Sequence, residues 1–180
     1  MRKYLIVVDM QNDFIAGVLG SDEAKAIVFN VVRLIQDAKA ENRTVFFTQD
    51  THDEGYMDTS EGRHLPIPHC VRGTDGWKLH PDIAAYATEA DRVIQKPMFA
   101  SLALMDRLGG AATDGRGLDI ALCGVCTDIC VVSNALLLRT FFPEAKIRVF
   151  EDACAGVTKE SHSAALSVMK ACHVKVTRSV

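Results

Sequence analysis

The sequence predicts an α/β fold with a mostly parallel sheet and helices on both faces. Three observations carry that prediction. Short β-rich apolar runs recur along the chain, and segments of helical periodicity separate most of them. The first run is continuously apolar rather than alternating, as expected for a strand covered on both sides. The spacing leaves room for right-handed βαβ crossovers between parallel strands.

The elements follow in order. Tyr4–Val8 is the first strand, ended by Asp9. Residues 22–40 place Ala24, Ile27, Val28, Val31, Val32, Leu34, Ile35 and Ala38 at helical spacing. Thr44–Thr48 is the second strand. A polar segment from Gln49 to His80 follows, rich in His, Gly, Pro and Asp, and loops of that length are usually functional. Pro81–Ala87 reads as a short helix, Arg92–Gln95 as a third strand, and Leu102–Leu108 as a helix. Gly109–Gly117 is a turn-rich connector. Leu118–Cys123 is the fourth strand, Asp128–Arg139 a helix, Ile147–Phe150 the fifth strand, Lys159–Ala171 a helix and His173–Thr177 an edge strand. No internal repeat or linker interrupts this, so residues 1–180 read as one domain.

Composition narrows the function classes. Apolar residues make up 48% and charged residues 24%, and the net charge is -3. Such a balance offers no electrostatic case for nucleic acid or an anionic membrane. The apolar start is too short for a signal peptide, and no run approaches a membrane span. The chain is therefore expected in the cytoplasm with its six cysteines reduced.

In open α/β sheets, ligands bind beyond the carboxyl ends of the strands. Those ends carry Asp9, then Asp50 and His52, Lys96, then Cys126, Asp128 and Cys130, and Asp152. Cys130 lies at the start of a helix, where backbone amides and a lysine favour a thiolate. Cys123 and Cys126 have CxxC spacing, but no second pair completes a zinc site, and Cys123 still lies in an apolar strand. Cys70, Cys154 and Cys172 read as small buried hydrophobes. Asp50 and His52 share one face of an extended segment, and His69 returns later with Glu61 or His64 between. Asp and His side chains suit zinc, iron or manganese. A polar loop with surface histidines is the competing reading.

Three motifs, in order, resemble the isochorismatase-like cysteine hydrolases, and among them the nicotinamidases. They are Val8-Asp9-Met10-Gln11-Asn12-Asp13-Phe14, Gln95-Lys96-Pro97-Met98-Phe99-Ala100-Ser101-Leu102 and Gly124-Val125-Cys126-Thr127-Asp128-Ile129-Cys130-Val131. The resemblance covers nearly the whole chain. It implies a six-stranded sheet ordered 3-2-1-4-5-6, and a catalytic aspartate, lysine and cysteine at Asp9, Lys96 and Cys130. It also implies an oxyanion hole from the amides of Cys126 and Cys130, with a cis peptide between Val125 and Cys126. Thr48–His52 and Pro68–Gly76 resemble the two halves of the nicotinamidase metal site, so Asp50, His52 and His69 match its core ligands, with Glu61 the fourth and His64 its rival. The activity implied is hydrolysis of nicotinamide to nicotinate and ammonia through a cysteine thioester, as a step of NAD salvage, with one divalent metal, zinc foremost.

The sequence departs from the family where His52 is followed by Asp53, and where Leu65-Pro66-Ile67-Pro68-His69 lacks the usual aromatic residue. Phe14 and Phe99 are candidate apolar walls, with core packing the other reading. Trp77 either lines the entrance or packs under the loop. The rivals are an amidohydrolase of N-carbamoyl or ureido compounds, an isochorismatase-like hydrolase, and a silent binding domain on the same fold. The apolar Val131–Phe142 run fits a helix buried on all sides, or one that also meets a second subunit of a homo-oligomer.

Overall fold

The computed structural model describes residues 1–89, 92–110 and 113–179. Its sheet has six parallel strands: β1 (Arg2–Val8), β2 (Thr44–Asp50), β3 (Val93–Lys96), β4 (Leu118–Val125), β5 (Lys146–Ala155) and β6 (Lys175–Thr177), in the order β3-β2-β1-β4-β5-β6. From Tyr4 to Val8 every residue of β1 is buried, and so is all of β4. These central strands explain the continuous apolar runs, since helices cover both of their faces.

The helices are α1 (Asn12–Ile15), α2 (Asp22–Ala40), α3 (Ser60–His64), α4 (Pro81–Ala84), α5 (Leu102–Leu108), α6 (Val132–Phe141) and α7 (Lys159–Ala171). α2 buries Ala24, Ile27, Val31, Leu34, Ile35 and Ala38 against the sheet, and Ser21 caps its first turn by accepting from Ala24 N–H. α7 starts at a reciprocal cap between Thr158 and Ser161. The chain steps one way from β1 to β2 and the other way from β4 to β5. Right-handed crossovers then place α2 and α6 on opposite faces. The reversal makes the β1/β4 boundary the switch point, where a crevice opens beyond the strand ends.

Several predicted boundaries move. β2 continues to Asp50 and β3 to Lys96, because the two pair there, Asp50 opposite Lys96. α4 stops at Ala84, three residues short of the predicted end. The helix expected over 128–139 opens instead with a π-helical turn, Thr127–Val131. β5 is much longer than its apolar core, because after a register shift it pairs Cys154 with Gly124 and Ala155 with Val125. Asp152 therefore lies inside a strand. Its carboxylate accepts from Ser179 N–H and Oγ–H at 2.8 and 2.7 Å, so it ties down the C-terminal segment. Part of the 109–117 connector and the last residue lie outside the described residues.

At the amino end of the sheet, Asp119 is clasped by Arg43 and Arg148. Burial pushes its carboxyl pKa up, but the two guanidinium hydrogen bonds outweigh this and hold it below the usual value. A depressed carboxyl pKa adds stability above the unfolded-state value and loses it as pH falls through the folded one. Asp119→Asn is accordingly expected to cost roughly 1–2 kcal/mol at neutral pH. The loss of urea stability on acidification below about pH 4 should be smaller in the variant. Identical acid limbs would refute this role.

Candidate active site

The strand register assembles the site. Val8 lies opposite Thr48 on one side and Gly124 on the other, and Asp50 lies opposite Lys96. The residues just beyond these pairs must meet at one end of the sheet. Gly124 permits the approach: it has φ 117°, and a Cβ there would sit 2.1 Å from the Val8 carbonyl oxygen. Asp9 leaves β1 with φ 49°, in the left-handed region, which asparagine and aspartate tolerate better than most residues.

Asp9, Lys96 and Cys130 converge in the interior, none more than 6% exposed. Lys96 Nζ lies 2.7 Å from Asp9 Oδ2 and 3.5 Å from Cys130 Sγ. Thr48 Oγ1 donates to Asp9 Oδ1 at 2.7 Å. Asp9 Oδ2 has only the Lys96 ammonium beside it and accepts no ordinary hydrogen bond among the described residues, which leaves it free toward the thiol. Burial raises the Asp9 carboxyl pKa, with Lys96 opposing and Asp50 adding to the rise. Burial would lower Lys96, but the Asp9 and Asp50 carboxylates beside it raise it, so it stays an ammonium. Burial, then the Asp9 charge, pushes the Cys130 thiol well above its ordinary value, with Lys96 opposing. The resting nucleophile candidate is therefore a thiol, next to a carboxylate able to take its proton.

Cys130 sits in the π-helical turn. Ile129 N–H and Val131 N–H both donate to the Cys126 carbonyl, at 3.1 and 3.0 Å, and the Cys130 amide between them is left out of that pair. The peptide between Val125 and Cys126 is cis, the bond the resemblance implied.

Beside this group, joined to it by Lys96 Nζ at 3.3 Å from Asp50 Oδ1, lies a second cluster. Asp50, His52, Glu61 and His69 each offer one ligand atom, all within 4.8 Å of one another. His52 Nε2 and His69 Nε2 lie 3.1 and 3.6 Å from Asp50 Oδ2, and both lie 3.8 Å from Glu61 Oε1. Ligands about 2.0–2.2 Å from one cation are separated by roughly 3–4 Å, so the donor set fits a borderline metal. His69 Nδ1 is held by the Ile67 carbonyl at 2.8 Å, leaving Nε2 for the cluster. Burial raises the Asp50 pKa, but hydrogen bonds from His52 and His69 and the Lys96 charge outweigh this and keep it ionised. Glu61, not His64, completes the set. His64 turns Nδ1 to the Ser60 carbonyl at 2.8 Å and faces the cavity.

Periodicity did not single out the side chains that hold these groups in place. Gln11 accepts from Asp50 N–H at 2.7 Å and donates to the carbonyls of Asp50 and Trp77, both at 2.8 Å. Asp13 accepts from Cys70 N–H at 2.8 Å, fixing the residue after His69. Asn134 donates to the carbonyls of Cys130 and Phe99 and accepts from Ser101 N–H, which locks the nucleophile turn to the lysine segment. Tyr56 packs its ring against both His52 and His69, with centroids at 4.7 and 5.1 Å. Gln11 and Asp13 lie inside the first motif, so their place in it was the available signal.

A 730 Å³ cavity opens over both clusters. Phe14, Phe99, Cys126 and Cys130 line it, so both candidate wall phenylalanines face it. Trp77 is not among its walls, and its Nε1–H donates to Thr51 Oγ1 under the loop at 2.9 Å. All six cysteines are free thiols. Burial raises Cys126 to about 12 and pushes Cys123 well above the ordinary thiol value. Cys172 is only half-buried, because it caps the end of α7 rather than entering the core.

Comparison with known proteins agrees with this architecture. The isochorismatase domain profile matches residues 3–179. The chain is 30% identical over 196 residues to a nicotinamidase/pyrazinamidase of Mycobacterium tuberculosis, covering 97% of this chain and 98% of that one. A nicotinamidase/pyrazinamidase structure from Bacillus subtilis superposes with a TM-score of 0.82 at 27% identity, over 99% of this chain and all of that one. A pyrazinamidase of Pyrococcus horikoshii in complex with zinc superposes with a TM-score of 0.79 at 28% identity, over 99% of this chain and 100% of that one. No helix among the described residues is long and apolar enough to cross a membrane.

Proposed function

The chain belongs to the isochorismatase family, and from that premise we propose that it is a metal-dependent cysteine amidase that hydrolyses nicotinamide to nicotinate and ammonia. One observation carries the reading. The Asp9, Lys96 and Cys130 group and the Asp50, His52, Glu61 and His69 cluster meet through one buried lysine, and Cys130, Asp50, Glu61 and His69 line one cavity.

The Cys130 thiol gives its proton to Asp9 Oδ2 as Sγ bonds to the amide carbon. Lys96 stays charged and holds both partners in place. The backbone amides of Cys126 and Cys130 receive the developing oxyanion, and each such donor contributes about 10²–10³ in rate. As the carbon–nitrogen bond breaks, Asp9 returns the proton to the departing ammonia. Asp9 then takes a proton from water, whose oxygen attacks the thioester, and Cys130 leaves and regains that proton. The raised Asp9 pKa suits a group that must accept and release a proton in each half-reaction. Asp50, His52, Glu61 and His69 would hold the cation, which, when bound, anchors the substrate's ring nitrogen rather than generating the nucleophile.

The test is ammonia release from nicotinamide and from N-carbamoyl compounds, before and after chelation. Nicotinamide turnover that falls at least about tenfold on chelation and returns with zinc supports the reading. Release from N-carbamoyl compounds alone, unaffected by chelation, overturns it.

A further inference from the structure

A single-ring amide occupies roughly 150 Å³, the space of about five waters at ~30 Å³ each. The cavity over Cys130 has 730 Å³. Cys130, Asp50, Glu61 and His69 account for one end of it. The remaining walls are mostly apolar, with Leu19, Ala24, Leu65, Met98, Ile129 and Val157 among them, and Ser60 and His64 of α3 add polar side chains there. The Ser21 hydroxyl on that side is occupied in capping α2, accepting from Ala24 N–H at 3.0 Å. Met98 and Val157, 50% and 62% exposed, stand as uncovered hydrophobic side chains in this wall. A small ring fixed between the nucleophile and the metal cluster would leave most of this apolar surface facing water, an unfavourable exposure that a larger ligand would relieve.

We propose that the outer cavity binds an alkyl or aryl substituent on the substrate ring, so that the preferred substrate is a ring amide larger and more apolar than nicotinamide. This rests on the amidase reading above and extends it to a substrate class. The substituent would displace water from Leu19, Leu65, Ile129 and Val157 while the carboxamide stays over Cys130. Each fully buried methylene is worth about fourfold in affinity.

The experiment measures kcat/KM by ammonia release for nicotinamide, for nicotinamides bearing a butyl group at each free ring carbon in turn, and for benzamide and 3-butylbenzamide. At least one butyl derivative should exceed nicotinamide by about tenfold or more. In Val157→Trp, which narrows the exposed wall, that ratio should fall at least about fivefold. The proposal is overturned if every butyl derivative is slower than its parent amide, or if Val157→Trp leaves the ratio unmoved. If the pyridine amides are inert but 3-butylbenzamide outruns benzamide, the cavity assignment stands and the nicotinamide reading fails. If nicotinamide is turned over and no butyl derivative matches it, the nicotinamide reading stands and the cavity assignment fails. No release from any compound overturns both.

Discussion

Cys130→Ala is expected to reduce ammonia release from nicotinamide by at least about 10⁴-fold, the scale on which enzymes lose turnover when a nucleophile is deleted. Cys130 is the one cysteine placed with an ammonium at 3.5 Å and a carboxylate proton acceptor beside it, at the floor of the cavity. Its sulfur is a small part of the core, so removing it should cost little stability, and the urea midpoint should move only slightly. A folded variant with turnover within tenfold of wild type would remove Cys130 from the nucleophile role. Cys126 provides the contrast. It lines the same cavity, and burial raises its thiol as it does that of Cys130, but no ammonium lies in hydrogen-bond contact with it among the described residues. Cys126→Ala keeps the backbone amide and should retain far more activity than Cys130→Ala.

The second large effect is on the metal. His52→Ala and His69→Ala are each expected to lower bound metal by at least about tenfold and to raise KM for nicotinamide in step, since even outer partners of metal ligands are worth 10–100-fold. Glu61→Ala should follow them. His64→Ala should not, because its ring is turned along its own helix. Elemental analysis of the purified proteins distinguishes these outcomes. Unchanged metal content in His52→Ala, or loss in His64→Ala alone, would break the assignment of the four-group cluster. The adjoining Lys96 gives a further control. It touches Asp50 Oδ1 at 3.3 Å but offers no lone pair while it is an ammonium, so it belongs with Asp9 and not with the metal donors.

Much of this was legible in the chain itself. Continuous apolar runs marked the strands, helical spacing marked α2 and α7, and the strand-end rule put Asp9, Asp50, Lys96 and Cys130 at one edge of the sheet. These features are local: periodicity and chain order carry them, and motif resemblance then orders the strands. Asp152 shows where locality stops. It follows an apolar run, yet tertiary pairing of Cys154 with Gly124 extends β5 past it and turns it to the C-terminal segment. The choice of Glu61 over His64 depends on how the short helix α3 is rotated, which three residues of spacing do not specify. The pairing of Gln11 with the Asp50 backbone joins residues 39 positions apart. The cavity volume arises from walls contributed by α2, the loop, the π turn and the end of β5. The sequence by itself therefore determined the sheet strands, the longer helices and which reactive side chains leave the strand ends, while the short helices α1 and α3 emerged only in the fold. The tertiary structure decided register, side-chain rotation and empty space, because each depends on contacts between segments far apart in the chain.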